Sequence, residues 1–159
     1  MNTRRLLLTA AACLLGSAAI ANTPAPGPYD ESADAHKDVQ RAFEAATASK
    51  RPVLIIFGAN WCKDCRALDT ALKAPANAGL ISKEFVVVKV DVGNFDHNLD
   101  IANAYGNPIK KGIPAAAVLT PQQQLIYTTK AGELADARQM SETGVYDFFN
   151  GVVAKTKAQ

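Results

Sequence analysis

Apolar residues follow two different patterns along the chain. A continuous apolar run at 53–57 predicts a central strand that is buried on both faces of a sheet, and the largely β-branched run 85–92 predicts a second strand. Elsewhere apolar residues recur every three or four positions, as on one face of an amphipathic helix. The predicted helices cover 32–50 with Ser32 or Asp34 as N-cap, 62–74, 77–83, 99–105 and a C-terminal segment capped by Ser141.

Two shorter apolar segments, 115–119 and 125–129, flank a polar turn at 121–124 and predict a β-hairpin. The element order is therefore helix, β, α, β, α, β, β, α. This order indicates an α/β fold in which a parallel βαβ unit is followed by an antiparallel hairpin. We expect one central four-stranded mixed sheet with helices on both faces.

Size and charge limit the possible functions. The chain has 159 residues, of which 48% are hydrophobic, and this suits a single globular domain with one core. Arg4 and Arg5 account for the whole formal net charge of +2, so the rest of the chain is neutral. No basic patch for nucleic acid or for a membrane surface is predicted.

The N-terminal residues have the layout of a secretory signal peptide. Residues 1–5 are basic, 6–20 are apolar, and Ala19-Ile20-Ala21 is a small-x-small cleavage site. We expect cleavage after residue 21; an uncleaved anchor and lipidation at Cys13 are the alternatives. The proline-rich stretch 22–32 is predicted to be a linker, followed by one domain over 33–159.

Loss of the signal peptide leaves two cysteines, Cys62 and Cys65, in a compartment where disulfides persist. A Cys-x-x-Cys pair at the junction of a buried strand and a helix is typical of redox sites. Cys62, at the helix N-terminus, is the predicted attacking thiolate, and Cys65 is the more buried, less acidic resolving thiol. Lys63 favours the thiolate and Asp64 opposes it, so we expect a moderately lowered Cys62 pKa.

Trp61-Cys62-x-x-Cys65 after a buried strand, with Gly112-Ile113-Pro114 about fifty residues later, resembles the thioredoxin superfamily. The lead-in 58–61 and the aromatic ending at 146–149 are similar to those of exported, disulfide-isomerase-like members. The resemblance covers most of the chain after the linker.

The resemblance implies a sheet in which the 85–92 strand lies at one edge, followed by 53–57, 115–119 and 125–129. It also implies a cis Ile113–Pro114 bond. Trp61, Ile113 and Pro114 would bind substrate, with the Ile113 backbone pairing with an extended segment. Trp61 also has a plain alternative role as a packing residue.

The chain departs from the best-known thioredoxin pattern at two positions. Ile56 stands where thioredoxins carry a buried aspartate that relays the proton of the resolving cysteine. Lys89 matches the lysine that pairs with this aspartate and is therefore expected to have no such partner. Thr70 replaces the proline that kinks the helix. These departures leave the exchange reaction intact but put that proton route in doubt.

The predicted function is a periplasmic thiol–disulfide oxidoreductase acting on protein disulfides, with reductase or isomerase favoured over primary oxidant. No cofactor motif is present, so reducing equivalents would come from a membrane-bound thiol electron donor. We expect a monomer, because no second domain for dimerisation follows.

The alternative function is a non-catalytic binding module for a client protein or a metal. A structural zinc site is not expected, because His36 and His97 lack the required spacing. The polar segment 91–100 lacks the ligand spacing of a calcium loop and is predicted to be a solvated loop or part of the site's rim.

Overall fold

A computed structural model describes residues 27–158. The predicted signal peptide, its cleavage site and Cys13 lie outside the described residues. The helices are α1 (Ala35–Ser49), α2 (Lys63–Lys73), α3 (Pro75–Glu84), α4 (Leu99–Ala104) and α5 (Glu142–Lys157), with short 3-10 turns at Pro108–Lys111 and Ala137–Gln139. The strands are β1 (Val53–Gly58), β2 (Val86–Asp91), β3 (Ala115–Leu119) and β4 (Leu125–Thr128). Within residues 27–158, no helix combines the length and the apolar character needed to cross a bilayer.

The four strands form one mixed sheet in the order β2-β1-β3-β4. β1 runs parallel to β2 and antiparallel to β3, so that Ile55 lies between Val88 and Ala117. β3 and β4 form the antiparallel hairpin. The predicted α/β architecture and the strand order implied by the resemblance are therefore confirmed.

Helices cover both faces of the sheet, which is why every residue of β1 and β3 is buried. Alternate side chains of β1 enter two separate cores. The odd-numbered residues of β1 pack with α1 and α4, whereas Leu54 and Ile56 pack with α2, α3 and α5. This arrangement explains why the 53–57 run is continuously apolar rather than alternating.

Two predicted helix caps are present. Asp34 caps α1 by accepting a hydrogen bond from the Lys37 amide at 3.2 Å. Ser141 caps α5 by accepting from the Gly144 amide at 3.0 Å. Ser32, the other candidate for α1, instead donates to Asp30 within the preceding turn.

The structure differs from the predicted linker in its described part. Tyr29, which falls inside the proline-rich stretch 22–32, is only 4% exposed and belongs to the core beside α1. Two hydrogen bonds with Asn60, 31 residues away, hold it there, one donated by each residue. A contact between residues so far apart in sequence cannot be read from the local composition. The proline and glycine content of 22–32 therefore predicts a linker at a position where the chain is packed into the core.

Candidate active site

Cys62 lies at the point where β1 turns into α2. It is the N-cap of α2, and its sulfur accepts a hydrogen bond from the Cys65 amide at 3.1 Å. The unpaired amides and the dipole of a helix N-terminus favour negative charge at such a position. The Cys62 thiol also donates to the Ile113 carbonyl at 3.5 Å. The first cysteine is therefore placed between a helix N-terminus and the Ile113–Pro114 segment.

Cys65 lies one turn further along α2. The two cysteines are free thiols, with 5% of Cys62 and 1% of Cys65 exposed. Burial, reinforced by the neighbouring Cys62 sulfur, raises the pKa of the Cys65 thiol well above its usual value. The pair thus combines a slightly exposed sulfur with a more deeply buried sulfur that resists ionisation.

A groove of about 450 Å³ opens next to Cys62. Trp61 and Phe95 line one part of it, and Ile113 and Arg138 line another. The Ile113–Pro114 peptide bond is cis, as the resemblance implies. Five of the predicted site residues therefore meet in one concave surface, and Cys65 and Pro114 are not among its lining residues; the five are Trp61, Cys62, Lys63, Asp64 and Ile113.

Phe95 is a groove residue that the sequence pattern did not identify. Its ring packs edge-on against Trp61 with centroids 6.3 Å apart, and the indole nitrogen of Trp61 donates to the Gly93 carbonyl at 2.9 Å. Trp61 is 53% exposed and Phe95 42% exposed, so together they present an aromatic surface to solvent. In the sequence, Phe95 is marked only as an aromatic residue within the otherwise polar segment 91–100. This segment does form part of the rim of the groove.

Asp64 has a partner that its position in the motif did not indicate. Its carboxylate accepts hydrogen bonds from the amide of Arg138 at 3.0 Å and from its guanidinium at 3.1 Å. Partial burial opposes ionisation, but these bonds outweigh it and hold the pKa of Asp64 below its usual value. Arg138 therefore offsets part of the negative charge that Asp64 brings to the cysteines, while Lys63 is exposed.

Lys89 lacks the strand aspartate, as expected, but it has an acidic partner on another element. Ile56 is buried and apolar, as predicted, but Lys89 forms an ion pair with Asp69 of α2. Asp69 also pairs with Lys73 at 2.7 Å. Although desolvation opposes ionisation of Asp69, hydrogen bonds from the two lysines lower its pKa. The helix, rather than the strand, supplies the acid, and helix–strand contacts of this kind cannot be read from strand position.

In the part of the chain that the structure describes, no group of three or more histidine, cysteine, aspartate or glutamate side chains is arranged to hold a metal ion.

A family model described as thioredoxin-like matches residues 34–121. The chain belongs to the thioredoxin-like family. It is also similar to the crystal structure of a disulphide isomerase from Xylella fastidiosa Temecula1, with 54% identity and a TM-score of 0.79 over 80% of this chain and 97% of that one. Together with the Cys62–Cys65 pair, this likeness supports membership among the redox-active members of the family.

More distant thioredoxin-like structures share the fold. A protein described as DsbH oxidoreductase is 13% identical, with a TM-score of 0.56 over 72% of this chain and 81% of that one. A thioredoxin from Thermus thermophilus is 20% identical, with a TM-score of 0.51 over 71% and 79% of the two chains. No curated protein matches the chain in sequence.

Proposed function

We propose that this thioredoxin-like protein is a periplasmic thiol–disulfide oxidoreductase that exchanges disulfides with protein substrates through Cys62 and Cys65. The observation that carries the proposal is the position of the Cys62 sulfur. It lies at the N-terminus of α2, within hydrogen-bond distance of the Cys65 amide and the Ile113 carbonyl, and beside an open groove.

The reaction has two exchange steps. In the first, the Cys62 thiolate attacks a substrate disulfide; a bond forms between Cys62 and one substrate sulfur, and the other substrate sulfur leaves as a thiolate. In the second, Cys65 loses its proton and attacks the Cys62 sulfur, which releases the remaining substrate thiol. The protein pair is oxidised by two electrons, and the substrate disulfide is reduced.

The groove suits an extended polypeptide rather than a small thiol. A thiolate at Cys62 no longer donates a hydrogen bond, so ionisation frees the Ile113 carbonyl to accept one from a substrate amide. Main-chain pairing of this kind selects for extended shape. The exposed rings of Trp61 and Phe95 would contact apolar side chains that flank the substrate disulfide.

Two observations favour reduction or isomerisation over primary oxidation. The 54%-identical structure is that of a protein described as a disulphide isomerase. Asp64 also places an acidic group in the first turn of α2, where it opposes the thiolate that a strong oxidant stabilises. Reducing equivalents would come from a membrane-bound thiol donor, and the protein would act as a monomer.

The central test measures insulin reduction by the protein lacking residues 1–21. We expect activity that disappears in Cys62→Ser, whereas Cys65→Ser should accumulate a mixed disulfide with the substrate. A reduction potential of about −270 mV for the Cys62–Cys65 pair would support a role as a reductant, and a value of about −120 mV would contradict it. Absence of thiol exchange, combined with stoichiometric binding of a client or metal, would replace the proposal with the binding-module alternative.

Localisation needs a separate experiment. The full-length protein should be found in the periplasmic fraction of the cells that produce it, and the mass of the secreted form should correspond to a chain that begins at Asn22. A cytoplasmic protein that retains residues 1–21 would contradict this part of the proposal.

A further inference from the structure

Tyr29 is fixed to the same loop that carries the cysteine motif. The Tyr29 amide donates to Asn60 Oδ1 at 2.9 Å, and Asn60 Nδ2 donates to the Tyr29 carbonyl at 2.8 Å. Asn60 is only two residues before Cys62, and its own carbonyl accepts from the Arg66 guanidinium at 2.6 Å. The position of Tyr29 is therefore defined relative to the first turn of α2.

The side chain of Tyr29 reaches the resolving cysteine. A β-carbon added to Gly58 would lie 2.2 Å from the Tyr29 hydroxyl oxygen and 2.9 Å from the Cys65 sulfur. The two atoms thus approach the β1 backbone at the same point, and only a glycine leaves room for both. Tyr29 is 4% exposed and Cys65 1% exposed, so bulk water has little access to the space they share.

The surroundings keep this phenol protonated. Burial, followed by the charges of Cys65, Cys62, Asp69 and Asp91, raises the pKa of Tyr29 well above its usual value. The Lys89 ammonium lies 5.9 Å from the centroid of the Tyr29 ring, but its charge is paired with Asp69. Tyr29 is therefore a hydrogen-bond donor rather than a base.

The second exchange step is favoured by such a donor. Cys65 must become a thiolate in a buried position, where an unsolvated charge is unfavourable. Thioredoxins have an aspartate on the strand leading to the motif, but the corresponding residue here is the apolar Ile56. That acid would take the proton; in its absence, a neighbouring hydrogen-bond donor can stabilise the developing thiolate instead.

We propose that the Tyr29 hydroxyl donates a hydrogen bond to the Cys65 sulfur as it becomes a thiolate, and thereby accelerates resolution of the mixed disulfide. This inference rests on the proposed function. Cys65 gives up its proton, the Cys62–Cys65 bond forms, and the bond between Cys62 and the substrate sulfur breaks. The departing substrate sulfur takes up one proton in exchange, so no further oxidant or reductant is needed.

The test compares the two exchange steps in Tyr29→Phe, which keeps the ring and removes only the hydroxyl. Reduced protein is mixed with dithiobis(nitrobenzoate) in a stopped-flow spectrometer. Attack by Cys62 releases one coloured thionitrobenzoate anion, and resolution by Cys65 releases the second. We expect the first phase to stay within about twofold of the wild type and the second to slow by about tenfold, since bonds to charged groups are the stronger ones.

Tyr105→Phe is the matched control, because Tyr105 is a partly buried tyrosine that packs against Phe43 at the end of α4. Both of its phases should equal those of the wild type. The ratio of the two phases is an internal standard, since both arise from the same folded molecules. A second phase in Tyr29→Phe within twofold of the wild type would overturn the inference. A wild-type protein without a second phase would instead contradict the proposed function.

Discussion

Replacing Asn60 by alanine tests how the segment before α1 is attached to the catalytic loop. The substitution removes two partly buried hydrogen bonds to the Tyr29 backbone and one exposed bond to Glu31. Each buried bond contributes about 1 kcal/mol net, so their loss alone should lower the free energy of unfolding by about 2 kcal/mol.

The upper limit follows from the burial of Tyr29. If the segment detaches, the protein also loses the transfer free energy of a large buried side chain, about 1.5–3 kcal/mol. The total loss would then be about 3.5–5 kcal/mol. Detachment would further reduce the urea m-value, because the folded protein would already expose that surface.

Urea unfolding at pH 7 measures both quantities. Asn103→Ala is the control, because Asn103 is exposed on α4, and its substitution should change the free energy of unfolding by less than about 0.5 kcal/mol. A loss of less than about 0.5 kcal/mol in Asn60→Ala would refute the view that these bonds hold Tyr29 in place.

Three further predictions concern the groove and the buried cysteine. Phe95→Gly should change the free energy of unfolding by less than about 1 kcal/mol, because it removes an exposed ring and relieves a backbone φ of +62°. It should nevertheless raise the KM for insulin about threefold, and an unchanged KM would count against an aromatic substrate contact. Because burial raises the pKa of Cys65 above its value in the unfolded chain, the unfolded chain releases that proton first. Reduced protein should therefore lose stability as the pH rises above about 8.5, and oxidised protein should not. If the urea midpoints of the reduced and oxidised proteins changed equally from pH 7.5 to 9.5, the raised pKa of Cys65 would be contradicted. Gly58→Ala should lower the free energy of unfolding by about 1–3 kcal/mol, because the added methyl group would clash with Tyr29. Gly151→Ala is the control and should be neutral or stabilising, because Gly151 faces open space on α5. Equal thermal midpoints for the two variants would be inconsistent with the close approach of Tyr29 to Gly58.

The fold could be predicted from the sequence because its signals are local. The unbroken apolar run of β1 indicated a strand covered on both faces, and the cap residues Asp34 and Ser141 marked where two helices begin. Pro75 directly follows the predicted helix 62–74, and in the structure it begins α3, which is ten residues long. Proline fits the first turn of a helix because its missing amide has no partner there in any case.

The surroundings of the site could not be predicted in the same way, because they depend on contacts between distant residues. Arg138 reaches Asp64 across 74 positions, and Asn60 reaches Tyr29 across 31. No periodicity connects such residues. The Cys-x-x-Cys motif therefore located the chemistry but not the side chains that regulate its charge.

The family match begins at residue 34, yet the domain packs around a side chain five positions earlier. A recombinant fragment cut at residue 34 would lack the Tyr29 ring and leave a void next to the Cys65 sulfur. Water and dissolved oxidants could then reach a thiol that the intact protein shields, and the purified fragment would be prone to sulfenic acid formation during storage. Fragments intended for redox measurements should therefore start at or before residue 27.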